Sequence, residues 1–268
     1  MLCVAANAAA ANAAQVDIFG DSEHGSSSQE PDLVEATPWG VKERLTHEKT
    51  AVGFYLSGHL FDEVALEVRR FVKRRIDELI DSREPQLLAG IVSDLRVING
   101  QRGKLALFKL DDKTAVVEAA ADEAVLNACK GLLKEDELLI ISGKLQRDRF
   151  SGGMRLNVQQ VWDLPTARCR FGRFLRVVVG AQAPDAGDVA RLVRDFPPRR
   201  EVLEEGGETL QFGLEVRLAL QCTAPQGRAA VELSLGEKGR IYPTDAALAS
   251  WLAQAEQGQA TIVYDPDA

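Results

Sequence analysis

Histidine is scarce in this 268-residue chain: only His24, His47 and His59 occur, and none stands at metal-ligand spacing from a cysteine. A zinc site and histidine-based catalysis are therefore disfavoured. The cysteines (Cys3, Cys129, Cys169, Cys222) are scattered without a C-x-x-C pair. That is the pattern of reduced thiols in a cytosolic protein rather than of a disulfide framework. No apolar run approaches the roughly 20 residues that cross a bilayer, so no membrane partner is expected. The opening MLCVAANAAAANAA lacks the basic n-region of a secretory signal, and the expected location is the cytoplasm. There is no G-x-S-x-G and no paired nucleophile and base, which disfavours a hydrolase. Aromatics make up only 6% of the chain, and 32 basic side chains face 40 acidic ones for a net charge of −8. This balance argues against coating of nucleic acid by bulk attraction and leaves room for a local basic face.

Charge is distributed unevenly. Residues 1–65 carry 10 acids and 3 bases, and residues 201–268 carry 11 acids and 4 bases. Between them, residues 144–176 hold eight bases against Asp148 and Asp163. A field that changes sign along a chain points to modules with different partners.

Residues 20–38 (GDSEHGSSSQEPDLVEATP) are rich in Ser, Gly, Pro and acids, a composition that cannot bury enough surface to offset its ordering entropy. They read as a linker, preceded by the short island Gln15-Val16-Asp17-Ile18-Phe19. Residues 39–84 read as a helical segment. Val64, Val68, Phe71, Val72, Ile76, Leu79 and Ile80 lay one apolar stripe on an expected helix from Glu63 to Ile80.

The period changes over residues 85–165. Short apolar runs at Leu87–Ile98, Lys104–Leu110 and Thr114–Ala120 are followed by a helical stretch at 122–133. Two further runs, Glu137–Gln146 and Met154–Trp162, complete the set. Asn99-Gly100 is a hairpin signal, and Asp111-Asp112, placed between two strands, reads as a tight turn rather than a metal site. Three strands, a helix and two strands is the element order of a five-stranded OB-fold β-barrel. Residues 166–268 read as a small α/β domain with helices at Ala167–Phe174, Asp185–Phe196 and Asp245–Ala255. Its expected strands are Leu175–Val179, Phe212–Ala219, Ala229–Leu235 and Ala260–Tyr264. The fold class expected is thus α+β and multidomain: helical segment, barrel and C-terminal α/β domain.

Four strings resemble, in order, the C-terminal region of the bacterial DNA polymerase III alpha subunit. They are Gln15–Gly20, the run from Glu48 to His59 (EKTAVGFYLSGH), Leu110-Asp111-Asp112, and Phe150–Leu156. Leu60-Phe61 departs from the Pro-Leu that the family usually carries there, which bears on local geometry only. The resemblance implies a part of a replicative DNA-directed DNA polymerase. No place is found for the palm and its acidic metal ligands. The segment is therefore expected to be a fragment or separately encoded tail, inactive alone and without a cofactor of its own, although the parent polymerase would use Mg.

The same resemblance implies partners. Gln15, Asp17, Ile18 and Phe19 would bind the sliding clamp, with Ile18 and Phe19 filling an apolar pocket. The acidic C-terminal domain would dock on the tau subunit of the clamp loader, with Phe212, Tyr242, Trp251 and Tyr264 as candidate anchors, although each is also a natural core residue. From the residues themselves, the barrel suggests single-stranded DNA. Alternation places Lys104, Ala106, Phe108 and Leu110 on one face of the second strand and Leu105, Leu107 and Lys109 on the other. The face with Lys104 and Phe108 is a candidate, with Phe108 equally a core residue, joined by Arg96 and Arg102 at the first hairpin and by Lys144, Arg147, Arg149, Phe150 and Arg155 at the last. An RNA- or tRNA-binding OB-fold module is the rival reading.

Overall fold

Alternating apolar residues build the centre of the molecule. In the computed structural model, residues 38–82, 84–100, 103–129, 131–147, 153–179, 184–202, 209–224 and 227–265 are described. Residues 1–40 form one unit and Val41–Ala268 another. All the described helices and strands belong to the second unit. Strands β1 (Gln86–Gly100), β2 (Gly103–Asp111), β3 (Val116–Ala121), β4 (Leu138–Arg147) and β5 (Met154–Trp162) close into a barrel in the order β1-β2-β3-β5-β4. All neighbours are antiparallel except β3 and β5. Phe108, Leu110, Leu88, Ile141, Leu145 and Leu156 fill the interior, every second residue of each strand as the pleat requires. The first hairpin pairs Asn99 with Lys104 and Gly100 with Gly103. Asn99-Gly100 therefore ends the strand and the chain reverses after it. Gly143 marks a register shift in β4, and a Cβ there would lie 2.6 Å from the Asn157 carbonyl. Only glycine permits that approach.

Among the helices, α1 spans Val41–Val52 and α2 only Ala65–Val68, while α3 (Glu123–Ala128) stands between β3 and β4. Asp122 caps α3 by accepting from the Val125 N–H at 3.0 Å. After the barrel, α4 (Leu164–Phe171) starts with Asp163 accepting from the Thr166 N–H at 2.9 Å and Pro165 in its first turn.

Strands β6 (Gly172–Val179), β9 (Glu215–Ala224), β10 (Gly227–Ser234) and β11 (Ala260–Tyr264) form a second sheet in the order β10-β9-β6-β11. Helices α5 (Ala186–Asp195) and α6 (Asp245–Leu252) complete this part, with a two-stranded ribbon of β7 (Arg199–Val202) and β8 (Thr209–Phe212) that apolar spacing alone did not separate.

The expected helix from Glu63 to Ile80 does not form as one element. A 3₁₀ turn (Leu60–Glu63), the single turn α2 and a second 3₁₀ turn (Ile76–Glu78) take its place. Tertiary partners outweigh the helical period here. The buried Asp112 carboxylate accepts from Arg69 Nη2 at 2.6 Å and from the Ile76 N–H at 3.1 Å. It also accepts from the Thr114 N–H at 3.0 Å. Asp111-Asp112 therefore lies at the β2–β3 turn as expected, and Asp112 ties the preceding segment to the barrel.

A second core joins everything else. It combines Phe61, Val68, Phe71 and Val72 with the outward side chains Ala89, Ile91 and Ile140 of the barrel and with Leu175, Val177 and Trp251 beyond it. Phe71 stacks on Phe171 at 5.2 Å and on Tyr264 at 5.0 Å between ring centroids. The linking segment is thus the filling between the barrel and the second sheet.

Candidate nucleic-acid interface

On β2 closure of the barrel decides which face turns inward. Ala106, Phe108 and Leu110 are buried, with Phe108 only 3% exposed. Of the two readings of Phe108, the one in which its ring is offered to a base is corrected: the ring belongs to the barrel core. The outward face carries Leu105, Leu107 and Lys109. Register places Lys109 opposite Ser93 on β1 and opposite Glu118 on β3, and Glu118 opposite Arg155 on β5. Arg155 in turn lies opposite Gln146 on β4, and Lys144 opposite Asn157.

The result is a row of mixed charge across the outside of the barrel. Asp94, Arg96, Lys109, Glu118 and Arg155 line a shallow groove of about 300 Å³. Lys109 Nζ lies 2.6 Å from Asp94 Oδ2, and Arg155 Nη2 lies 3.3 Å from Glu118 Oε2. The bond from Lys109 holds the Asp94 carboxyl below the usual aspartate range, and Asp94 in return raises the Lys109 ammonium. Arg96 and Lys104 are exposed, Lys144 is half-buried and Arg147 is exposed at the end of β4. The structure brings Arg96 and Arg155 into one groove. Lys104 lies at the hairpin end, while Arg102, Arg149 and Phe150 fall outside the described residues. Lys109, Asp94 and Glu118 were missed. The alternation of β2 sets Lys109 on the face opposite Phe108 but does not say which face is inner, because each face carries a lysine and two large apolar residues.

Residues 87–164 match the model of an OB-fold nucleic acid binding domain. The DNA polymerase III subunit alpha of Neisseria meningitidis serogroup B is 39% identical over 187 residues, which is 69% of this chain and 16% of that protein. The same subunit from Pseudomonas fluorescens is 32% identical over 207 residues, 77% of this chain and 16% of that protein. The chain is similar to a segment of the DNA polymerase III alpha subunit. It spans about a sixth of the length of these curated relatives. Among solved structures, the second OB-fold domain of replication protein A from Methanococcus maripaludis aligns at 16% identity. It covers 34% of this chain and 93% of that one with a TM-score of 0.27.

Two of the strings that resemble the alpha subunit meet in space. His59 Nε2 lies 3.3 Å from Asp111 Oδ1, and Lys113 Nζ lies 2.7 Å from Asp62 Oδ1. With Arg69 on Asp112, these contacts fasten the segment after α1 onto the β2–β3 turn. Within the string from Glu48 to His59, the Glu48 carboxylate accepts from the Leu56 N–H at 2.7 Å and the Ser57 N–H at 2.9 Å, while Lys49 bonds the Asp136 carboxylate.

The clamp-peptide residues Gln15, Asp17, Ile18 and Phe19 lie outside the described residues. Of the expected clamp-loader anchors, Trp251 is fully buried and Tyr264 is 9% exposed. Of their two readings, anchor and core, both take the core one, since α6 and β11 pack them against the second core. Tyr242 is half-buried and its hydroxyl lies 2.9 Å from Thr166 Oγ1, while Phe212 is half-buried on β8. Cys129 is buried, and burial pushes the Cys169 thiol up to about 12, so neither is a ready nucleophile at neutral pH. Among the described residues no group of three or more His, Cys, Asp or Glu is placed to hold a metal ion. No described helix is long and apolar enough to cross a membrane.

Proposed function

We propose that this chain serves DNA replication in the cytoplasm as a non-catalytic segment of a DNA polymerase III alpha subunit, from its C-terminal region. The barrel contacts single-stranded template through its outer face. The peptide at Gln15–Phe19 holds the sliding clamp, and the C-terminal domain docks on the tau subunit of the clamp loader. Its work is to hold and orient, and it needs no cofactor for that. The similarity to the alpha subunit over more than two thirds of the chain carries the reading. The cations Arg96, Lys109 and Arg155 on one barrel face support strand contact, since phosphate neutralisation dominates such affinity. With no exposed aromatic in the described part of that groove, strand binding is weak, indifferent to sequence and electrostatic.

The test is titration of the full chain into fluorescein-labelled oligothymidine followed by anisotropy, with the salt concentration raised stepwise. Affinity falls as salt rises, and it falls further in Arg96→Ala and Arg155→Ala. An affinity that ignores salt would sink the phosphate contacts. Preferential competition by tRNA would move the reading to an RNA-binding module.

A further inference from the structure

Asp94 has a φ of 52°, in the left-handed region that most side chains avoid and that Asp tolerates better than most. The cause is a bulge in β1. Ser93 pairs with Lys109 and Arg96 with Leu107, so Asp94 and Leu95 together oppose Phe108. A bulge re-aims side chains and sharpens the local twist. Here it delivers a carboxylate onto the cations of the barrel face, 2.6 Å from Lys109 Nζ. Glu118 repeats the arrangement from the other side: it stands opposite Lys109 in the β2–β3 register and pairs with Arg155 at 3.3 Å. Both ion pairs line the groove that holds Arg96. All four side chains remain at least a quarter exposed, with Asp94 at 51% and Glu118 at 53%, so neither pair is locked away from a ligand.

We propose that Asp94 and Glu118 are internal stand-ins for phosphate that limit the affinity of the barrel for single-stranded nucleic acid. This rests on reading the outer face as the strand-binding surface. A phosphodiester that engages Lys109 or Arg155 must first displace a carboxylate already seated there. The exchange swaps one anion for another, so fewer counterions are released than the number of cations implies. The face therefore holds the sugar–phosphate backbone loosely, and its salt dependence is shallower than a bare cation count gives.

The experiment compares the full chain with Asp94→Asn, Asp94→Gly and the double variant Asp94→Asn/Glu118→Gln, titrated into labelled oligothymidine across a salt series. Asn and Gly both accept a positive φ, so the bulge persists, and thermal melting checks that each variant folds. The double variant binds roughly threefold to tenfold more tightly at low salt, with a log–log salt slope steeper by about 0.7 for each cation set free. Adding Lys109→Ala and Arg155→Ala removes the gain. If the native chain binds and the double variant matches it in affinity and slope, the inference is overturned while strand binding stands. If only the double variant binds, the inference stands and strand binding by the native chain fails. If neither binds, both are lost.

Discussion

Arg168 and Glu67 meet in a two-point ion pair, Nε to Oε1 and Nη2 to Oε2, each 2.7 Å. Arg168 belongs to the helix that follows the barrel and Glu67 to the segment that precedes it, 101 residues earlier in the chain. Arg168 also donates to the Pro243 carbonyl at 2.9 Å and to Asp245 Oδ1 at 2.7 Å, while the Tyr264 hydroxyl donates to Glu67 Oε1 at 2.5 Å. One guanidinium thus ties together the leading segment, the barrel exit and the C-terminal domain.

Breaking that pair from one side leaves a largely buried charge without its partner. Arg168→Met is expected to lower the stability of the chain by about 3 kcal/mol. Arg168→Met/Glu67→Met is expected to lose less than Arg168→Met alone, because no orphan charge remains. Equilibrium urea unfolding of both variants measures the difference, and additive losses would contradict the coupling.

Acid should weaken the fold through two carboxylates. Burial pushes Glu67 up, but Arg168 and the Tyr264 hydroxyl outweigh it and leave the group below the usual glutamate range. Burial likewise raises Asp112, and the bonds from Thr114, Arg69 and the Ile76 N–H outweigh it, so the net direction is again down. A folded pKa below the unfolded one means stability that is present above the unfolded value, about 4 for these groups, and lost as pH falls through the folded value. The melting temperature is therefore expected to vary little with these groups above about pH 5 and to fall below about pH 4. Asp112→Asn melts lower at neutral pH and shows a flatter acid limb. An unchanged acid limb in a thermal-shift series would refute the assignment.

Core and face on β2 separate cleanly. Phe108→Ala empties part of the barrel interior and is expected to destabilise it by about 3–5 kcal/mol. Lys109→Ala touches the outer face and leaves the melting temperature nearly unchanged while altering the salt dependence of oligothymidine binding. Calorimetry and anisotropy on the same two variants decide whether the inner and outer faces are assigned correctly.

Clamp binding is expected to reside in the N-terminal island alone. Ile18→Ala/Phe19→Ala abolishes association with the sliding clamp in a calorimetric titration and leaves oligothymidine binding intact. Retained clamp affinity would remove Gln15, Asp17, Ile18 and Phe19 from the interface.

Deletion of the C-terminal part is a poor test of clamp-loader docking, because the second core is shared. Removing it would strip Phe61, Val68 and Phe71 of Leu175, Val177 and Trp251. Point changes at the half-buried Phe212 and Tyr242 probe docking without that collapse, and pull-down by the tau subunit provides the measurement.

The barrel was legible in the sequence because its signals are local. Period-2 runs, the Asn99-Gly100 hairpin signal and the turn chemistry at Asp111-Asp112 each act over a few residues, and together they order three strands, a helix and two strands. The strings that resemble the alpha subunit were equally plain, and two of them meet as His59 and Asp111. What local pattern could not supply was direction. On β2 both faces carry a lysine and apolar groups, and only closure of the barrel sent Phe108 inward and Lys109 outward.

Sequence by itself indicated the five strands and one helix of the barrel, through period and turn chemistry, and the likeness to a polymerase subunit, through four strings in the family's order. Tertiary structure decided the rest. It broke the expected helix from Glu63 to Ile80, where the Ile76 N–H donates to the Asp112 carboxylate in place of a helical carbonyl and the Arg69 side chain holds the same carboxylate. It also settled Trp251 and Tyr264 in the core rather than at an interface and set a carboxylate beside Lys109 through a one-residue bulge. Those outcomes depend on which residues meet across the fold, a property that no period of 2 or 3.6 encodes.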